Sequence, residues 1–500
     1  QVPVVAVMTT GGGTRALTAL LGNLLGLQKL DLLDAISYIT GSSGSTWTLS
    51  HLYQSSDWSS KDLSKPIGEI RRHMTKCKLS CFSLESFKYY DEELKLRKQE
   101  GYQISNGYLL CCCLASLYTM PRRYLLFTFA LFLANSQKNN HKLSDERQAL
   151  SRGQNPLPIY MILNIKKDYS LSEFKEWVEF TPYEVGFLKY GAFIRAEDFG
   201  SKFFMGRLVR KLPESRICFM KGDVLHCDHS NCIKMALSFS HVHLLYSSEG
   251  DESSPSARSH DLDTYLVSPE CGIMGIIRQI LTERVLISKF YNFLKGFQVH
   301  NEYLQSRNFC IWKDTVLENF PNQLTEAAEF MYVADTAGYI DISYPPLMRP
   351  QRKVDVVLHL NYSSGSQTLP LEEASKYFLK QGIPFPQIHL SEEEKKNLKE
   401  CYIFEDREVP EAPTVVFFPL VNDTFRKYKE PGVERSPAEM AQGNVDVSSI
   451  FSPYCLNSFT YKEEEFNKLV ELTSYNIQNN KHLILQALNS AIEQKRQRRK

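Results

Sequence analysis

The residues best equipped for chemistry form a short turn, Gly41-Ser42-Ser43-Gly44-Ser45. Acyl transfer by a hydroxyl needs a serine on an accessible backbone spur and donors for the oxyanion that forms at the attacked carbonyl. Gly41 and Gly44 remove side chains that would obstruct a sharp turn around Ser43. Ser45 stands where the usual G-x-S-x-G elbow has its last glycine. A second run, Gly11-Gly12-Gly13, leads into Thr14 and Arg15. Its N–H groups can approach an anion closely and Arg15 adds a positive charge, which suits a phosphate cradle or an oxyanion hole. The Gly-Lys-Ser/Thr ending of a phosphate loop and the G-x-G-x-x-G spacing of a dinucleotide fold are both missing. Beside a serine elbow, the oxyanion hole fits better. Asp335, in Val333-Ala334-Asp335-Thr336-Ala337-Gly338, follows an apolar stretch and precedes small residues, as a carboxylate at a strand end would. A solvated turn is its plain alternative, and spacing alone names no partner for it.

These residues need elements to hold them. Residues 4–8 predict a buried strand, 11–13 a tight turn and 17–30 a leucine-rich helix. Residues 35–39 predict a second strand, followed by the serine turn and a helix from about Thr46. That strand–helix–strand–helix order implies a parallel sheet covered by helices, an α/β fold. Further strands are expected within 142–220, including 159–163, and at 354–360 and 414–418; helical patterning is expected over 275–297. Apolar residues at helical spacing close the chain: Phe466, Leu469 and Val470, then Leu483, Ile484, Ala487, Leu488, Ala491 and Ile492.

Lys and Arg total 58 against 57 Asp and Glu, so net charge gives no reason to expect nucleic acid as a partner. Twelve cysteines in 500 residues are too dilute for a disulfide scaffold, which points to a reducing cytoplasm. No secretory leader opens the sequence, and its start inside a strand predicts further residues upstream. Residues 108–120 and 124–134 are strongly apolar but split by Pro121-Arg122-Arg123. Each half is shorter than the roughly 20 residues of a membrane span, so a buried or interfacial hairpin is expected. His226, Cys227, His229, Cys232, His241 and His243 match no closed zinc spacing, and no metal site is assigned. Lys495, Arg496, Arg498, Arg499 and Lys500 place five cations in six residues, either a solvated tail or a tether for anionic lipid.

The sequence resembles the cytosolic, group IV phospholipases A2, their epsilon-type branch above all. The resemblance rests on G-G-G-T-R at 11–15, G-S-S-G-S-T-W at 41–47, S-D-E-R-Q-A-L-S-R-G-Q-N-P-L-P-I-Y at 144–160 and Y-P-P-L-M-R-P-Q-R at 344–352. P-Y-E-V-G at 182–186 and F-F-P-L-V-N-D-T-F-R at 417–426 extend it. Residues about 105–138 and 221–261 depart from the family pattern. The resemblance implies one catalytic domain over 1–500, a three-layer α/β/α fold with a lid or cap insertion. It implies Ser43 as nucleophile, Asp335 as activating base, and Gly12, Gly13 and Arg15 as the oxyanion and phosphate group. Arg352 matches an arginine that the family needs for activity. An acyl-serine intermediate would hydrolyse membrane phospholipids or, in a related outcome, pass its acyl group to the amine of phosphatidylethanolamine. No cofactor is expected in this chain; calcium is implied through an upstream lipid-binding domain that this sequence does not contain. Peripheral association with intracellular membranes follows from the same resemblance. A Ser–Asp–His hydrolase is the rival, because His359 and His389 follow Asp335; His359 in a strand-like run is more naturally a satisfied core or surface histidine. A catalytically impaired, membrane-binding splice form is the other alternative.

Overall fold

Alternation along the first strand divides the molecule into layers. Val5 and Val7 enter one apolar core while Ala6 and Met8 enter another, because successive side chains of a strand point to opposite faces. In this computed structural model the described residues are 2–75, 92, 95–102, 141–165, 175–215, 217, 288–297 and 327–497, the last range without 407, 450, 456, 457 and 459. In chain order the first elements are β1 (Val5–Thr9), α1 (Gly13–Lys29), β2 (Ile36–Gly41), α2 (Gly44–Leu52) and α3 (Ser64–Met74). Next come β3 (Leu157–Ile165), β4 (Lys175–Phe180), β5 (Glu184–Phe187), β6 (Ala192–Arg195), β7 (Lys202–Phe204), β8 (Arg207–Arg210), β9 (Ser288–Tyr291) and β10 (Phe330–Ala334). The C-terminal part holds β11 (Val356–Leu360), α4 (Leu369–Lys380), α5 (Glu392–Lys396), β12 (Tyr402–Phe404), β13 (Thr414–Phe418), α6 (Glu463–Asn479) and α7 (Lys481–Gln497).

Strands β13, β11, β1, β2 and β3 are parallel neighbours in that order. β12 adds antiparallel at one edge and β4, β5 and β6 extend the other as an antiparallel meander. One face packs on α1, α2, α3, α6 and α7, the other on α4 and the 340–348 segment. This is the three-layer α/β/α arrangement that the family resemblance implied. α1 and α6 approach so closely that a methyl group on Gly22 or Gly26 would strike the backbone of α6. Glycine is required there for packing rather than for a turn.

The helical pattern expected over 275–297 is corrected at its end. Residues 288–291 form β9, paired antiparallel with β10 from Phe330↔Tyr291 to Val333↔Ser288. A short apolar run takes the structure its neighbour offers, and an edge of β10 outweighs local periodicity. The expected apolar hairpin of 108–134 and the histidine-cysteine segment of 226–243 lie outside the described residues. No helix among the described residues is long and apolar enough to cross a membrane.

Candidate active site

β2 ends at Gly41, and the chain then makes the turn that Gly44 and Ser43 dictate. Ser43 has φ 48° and ψ −129°, a left-handed conformation costly for a residue with a Cβ, and it caps the N-terminus of α2. Such strain at a strand-to-helix turn lifts the serine out of the run of the chain. Gly44 is irreplaceable beside it, because any Cβ would collide with the carbonyl of Gly13. The serine turn and the glycine loop therefore pack backbone to backbone. Ser45 explains its own departure from the usual pattern. Its hydroxyl donates to Ser42 O at 2.7 Å and accepts from the Thr9 hydroxyl at 2.8 Å and the Ser42 N–H at 3.1 Å. A glycine could not pin the turn to β1 in this way.

The glycine loop is not separate from the helix that follows. Gly13, Thr14 and Arg15 are the first residues of α1, four positions earlier than the apolar pattern indicated. Their N–H groups belong to the helix's first turn, which has no intrahelical acceptors and lies at the positive end of the dipole. Gly12 has φ 141°, and a Cβ there would sit 2.5 Å from Tyr362 O. Arg15 grips that same carbonyl through Nε at 3.0 Å and Nη2 at 2.5 Å. Burial lowers its pKa, an effect opposed by Tyr461, Asp341 and Cys455. Arg15 thus lies in the first turn of α1, and two of its nitrogens brace the backbone at Tyr362.

Sheet register brings the end of β10 towards the end of β2. β3 is long, and one of its edges carries two strands in succession. β2 runs parallel to its first half and ends with Gly41 opposite Tyr160; β10 runs antiparallel to its second half and ends with Ala334 opposite Leu163. The two strands meet end to end over only three residues of β3, about 10 Å of strand. Ser43 leaves from one end and Asp335 from the other. Asp335 is buried and accepts the Ala337 N–H at 3.0 Å, capping a short 3-10 turn.

A second carboxylate, which the sequence reading passed over, braces the site. Asp341 Oδ1 accepts the Gly11 N–H at 2.6 Å and Oδ2 accepts the Ser363 hydroxyl at 2.5 Å. A Cβ on Gly11 would lie 2.8 Å from Ser43 Cβ and 2.9 Å from Asp341 Oδ1, so the three residues are in contact. Burial of the carboxyl raises its pKa, opposed by Ser363, Gly11 and Arg15. Ser343 completes the strap: its hydroxyl donates to Thr9 O at 2.6 Å and lies 2.8 Å from Thr40 Oγ1. The signal for Asp341 was one acid in the otherwise apolar Tyr339-Ile340-Asp341-Ile342 run.

The other expected residues have partners of their own. Arg352 is seated on buried Glu179 of β4, with Nη1 donating to Oε2 at 3.0 Å and Nη2 to Oε1, and Nη1 also meets Pro346 O at 2.6 Å. Lys495 was expected in a lipid-facing cluster; instead its ammonium pairs with Asp355 at 2.6 Å and donates to Val2 O. α7 packs against the sheet, which brings Lys495 over the start of β1. Arg496 is exposed, while Arg498, Arg499 and Lys500 lie outside the described residues. His389 lies beside Gln387 Oε1 at 3.0 Å. His359 is wholly buried between Tyr344 and Phe417, with Nδ1 3.1 Å from the Tyr344 hydroxyl. Among the described residues no group of three or more His, Cys, Asp or Glu is placed to hold a metal.

Burial pushes the His359 pKa from 6.5 to about 3. A group neutral in the folded state and protonated when unfolded lowers stability as pH falls from about 6.5 towards 3. His359→Leu is therefore expected to flatten the stability-versus-pH curve in that window. It should also lower stability at neutral pH by about 1–3 kcal/mol through the stranded Tyr344 hydroxyl, and leave turnover within a few-fold. Thermal melts across pH, with rates at neutral pH, check this. A collapse of turnover in a folded variant would favour a histidine base.

A family described as the lysophospholipase catalytic domain matches residues 5–237. Human cytosolic phospholipase A2 epsilon is 48% identical over 99% of this chain and 57% of that protein. Human cytosolic phospholipase A2 delta is 40% identical over 99% of the chain and 60% of that protein. The structure of human GIVD cytosolic phospholipase A2 superposes with a TM-score of 0.80, at 40% identity, covering 99% of this chain and 63% of that one. A second structure of that protein, in complex with methyl gamma-linolenyl fluorophosphonate, gives a TM-score of 0.70 at 36% identity, over 99% of this chain and 60% of that one. The chain spans a little over half the length of the curated relatives it matches.

Proposed function

Because the chain belongs to the cytosolic phospholipase A2 family, we propose that it cleaves fatty acyl esters of membrane phospholipids, with Ser43 as nucleophile and Asp335 as base. The observation that carries this reading is the end-to-end meeting of β2 and β10 on one edge of β3, beside the glycine loop. Asp335 takes the proton as Ser43 Oγ attacks the ester carbonyl. The N–H groups of Gly12 and Gly13, at the positive end of α1, receive the oxyanion, and Arg15 holds that loop and adds its charge. Collapse of the adduct expels the lysophospholipid, whose oxygen takes the proton back from Asp335. An acyl-serine remains, and a second nucleophile releases the fatty acyl group. In this reading calcium would act through an upstream lipid-binding domain, as the family resemblance implies. Arg496 and residues 498–500 add attraction to anionic lipid.

The identity of that second nucleophile follows from access. A site held against a bilayer is poor in water and rich in lipid amines, which favours transfer. With labelled phosphatidylcholine as donor and phosphatidylethanolamine as acceptor, N-acylated phosphatidylethanolamine is expected beside free fatty acid. Mass spectrometry of the label decides it. Label found only in free fatty acid at every acceptor concentration leaves a hydrolase and removes the transferase.

A further inference from the structure

Ten residues in the N-terminal half of the sequence, Lys-Phe-Phe-Met-Gly-Arg-Leu-Val-Arg-Lys at 202–211, carry four cations, no acid and five large apolar side chains. They fold as the β7–β8 hairpin, a two-stranded sheet of its own. Phe203 is buried and roots the hairpin in the main core. Beyond it the apolar residues face outward: Phe204 is 49% exposed, Met205 60%, Leu208 42% and Val209 67%. All four residues of β8 are exposed, so both of its faces stand clear. Phe204 and Met205 touch Gly296, but a two-stranded ribbon that leaves apolar side chains this exposed is a poor arrangement in water.

The tip is odd in a second way. Met205 has φ 51° and Gly206 φ 73°, the pair of left-handed residues that a tight two-residue hairpin turn requires. Asparagine, aspartate or glycine fills the first such position without penalty; a methionine there is strained. The Met205 N–H donates to Lys295 O at 2.8 Å, which holds the strained tip against the 292–297 segment. That segment continues from β9, which pairs with β10, and β10 delivers Asp335. Strain kept at an exposed apolar tip points to a partner for the methionine.

We infer that the β7–β8 hairpin inserts its tip into the anionic surface of a lipid bilayer. Phe204, Met205, Leu208 and Val209 supply the part that enters the acyl boundary, and Arg207 and Arg210 meet the headgroups beside them. Lys202 pairs with Glu329 and Lys211 with Asp198, so the match to an anionic surface rests on Arg207 and Arg210 of the exposed strand β8. The inference rests on the phospholipase reading for its biological sense but not for its physical test. Docked in this way, the hairpin would orient the sheet relative to the membrane through β9 and β10.

The test uses the full chain with vesicles of phosphatidylcholine, with and without phosphatidylserine, and a short-chain ester in monomeric solution. Met205→Asn with Val209→Thr suits the turn and the strand better, so it should raise the melting temperature. The same variant should weaken vesicle binding by about 10- to 100-fold, because two apolar side chains no longer transfer from water. Arg207→Gln with Arg210→Gln should lose about fivefold per cation on phosphatidylserine vesicles only. Turnover of the monomeric ester should be unchanged in both variants. Vesicle binding that is unaltered in the Met205–Val209 variant overturns the inference, as does binding that moves to a protein partner or to self-association. Absence of ester turnover in the parent protein would count against the phospholipase reading alone.

Discussion

Ser43→Ala and Asp335→Asn are each expected to remove phospholipid turnover while leaving the fold and melting temperature nearly unchanged. Removing the nucleophile from an assembly that acts as a unit costs about a millionfold in the best-studied serine hydrolases, and the residue left comes from binding and oxyanion donors. Ser43 has φ 48°, so alanine there keeps the same backbone penalty and tests the hydroxyl alone. Asp335→Asn keeps the shape of the side chain and an oxygen for the Ala337 N–H, but it cannot accept a proton. The two losses should not add: the double variant should be no worse than the worse single one, since both remove the same step. Covalent labelling by a fluorophosphonate checks the assignment, with Ser43→Ala unlabelled and Asp335→Asn labelled slowly. Turnover in Asp335→Asn close to that of the parent would move the base elsewhere, and Asp341 would then be the carboxylate to test.

The second large effect concerns Arg352. Its fork lies on Glu179, whose side chain is fully buried, and Arg349 approaches the same carboxylate at 3.4 Å. Breaking such a pair by removing one member costs about 3–5 kcal/mol, because a buried charge is left without compensation. Glu179→Ala is therefore expected to melt well below the parent protein. Arg352→Met with Glu179→Leu should recover much of the loss, since neither charge remains. Arg352 also ties down the turn at Pro345–Met348 through Pro346 O, and that turn follows the Asp341–Ser343 strap. A fall in activity would then reflect a loosened strap. The contrast is measurable with Arg352→Lys: equal loss on a phospholipid and on an ester without phosphate supports positioning. Loss confined to the phospholipid would restore a phosphate contact.

Much of this molecule was legible as sequence because it depends on short-range chemistry. The strand–glycine–helix and strand–serine–helix units were placed by apolar patterning and by turns that only glycine tolerates, and their boundaries moved by a few residues. The β13 strand fell on the residues expected, since a buried parallel strand is a continuous apolar run. The serine turn could be found because its strain demands Gly44 next to Ser43. His359 read as a core or surface histidine from the strand-like run around it, and the fold buries it.

What sequence alone left open concerns partners distant along the chain. Nothing local says that β2 and β10 share one edge of β3, yet that sharing sets the strand ends that lead to Ser43 and to Asp335 three residues apart along β3. Asp341 looked like an isolated acid until Gly11 and Ser363 closed around it. Lys495 belonged by sequence to a basic cluster, but α7 packs against the sheet and delivers its ammonium to Asp355. Residues 288–291 had a helical pattern and became a strand because an unfilled edge of β10 supplied their hydrogen bonds. The physical reason is common to all four. Propensity and turn strain are properties of a few adjacent residues, whereas pairing a charge or filling a strand edge depends on which distant segment the fold brings alongside.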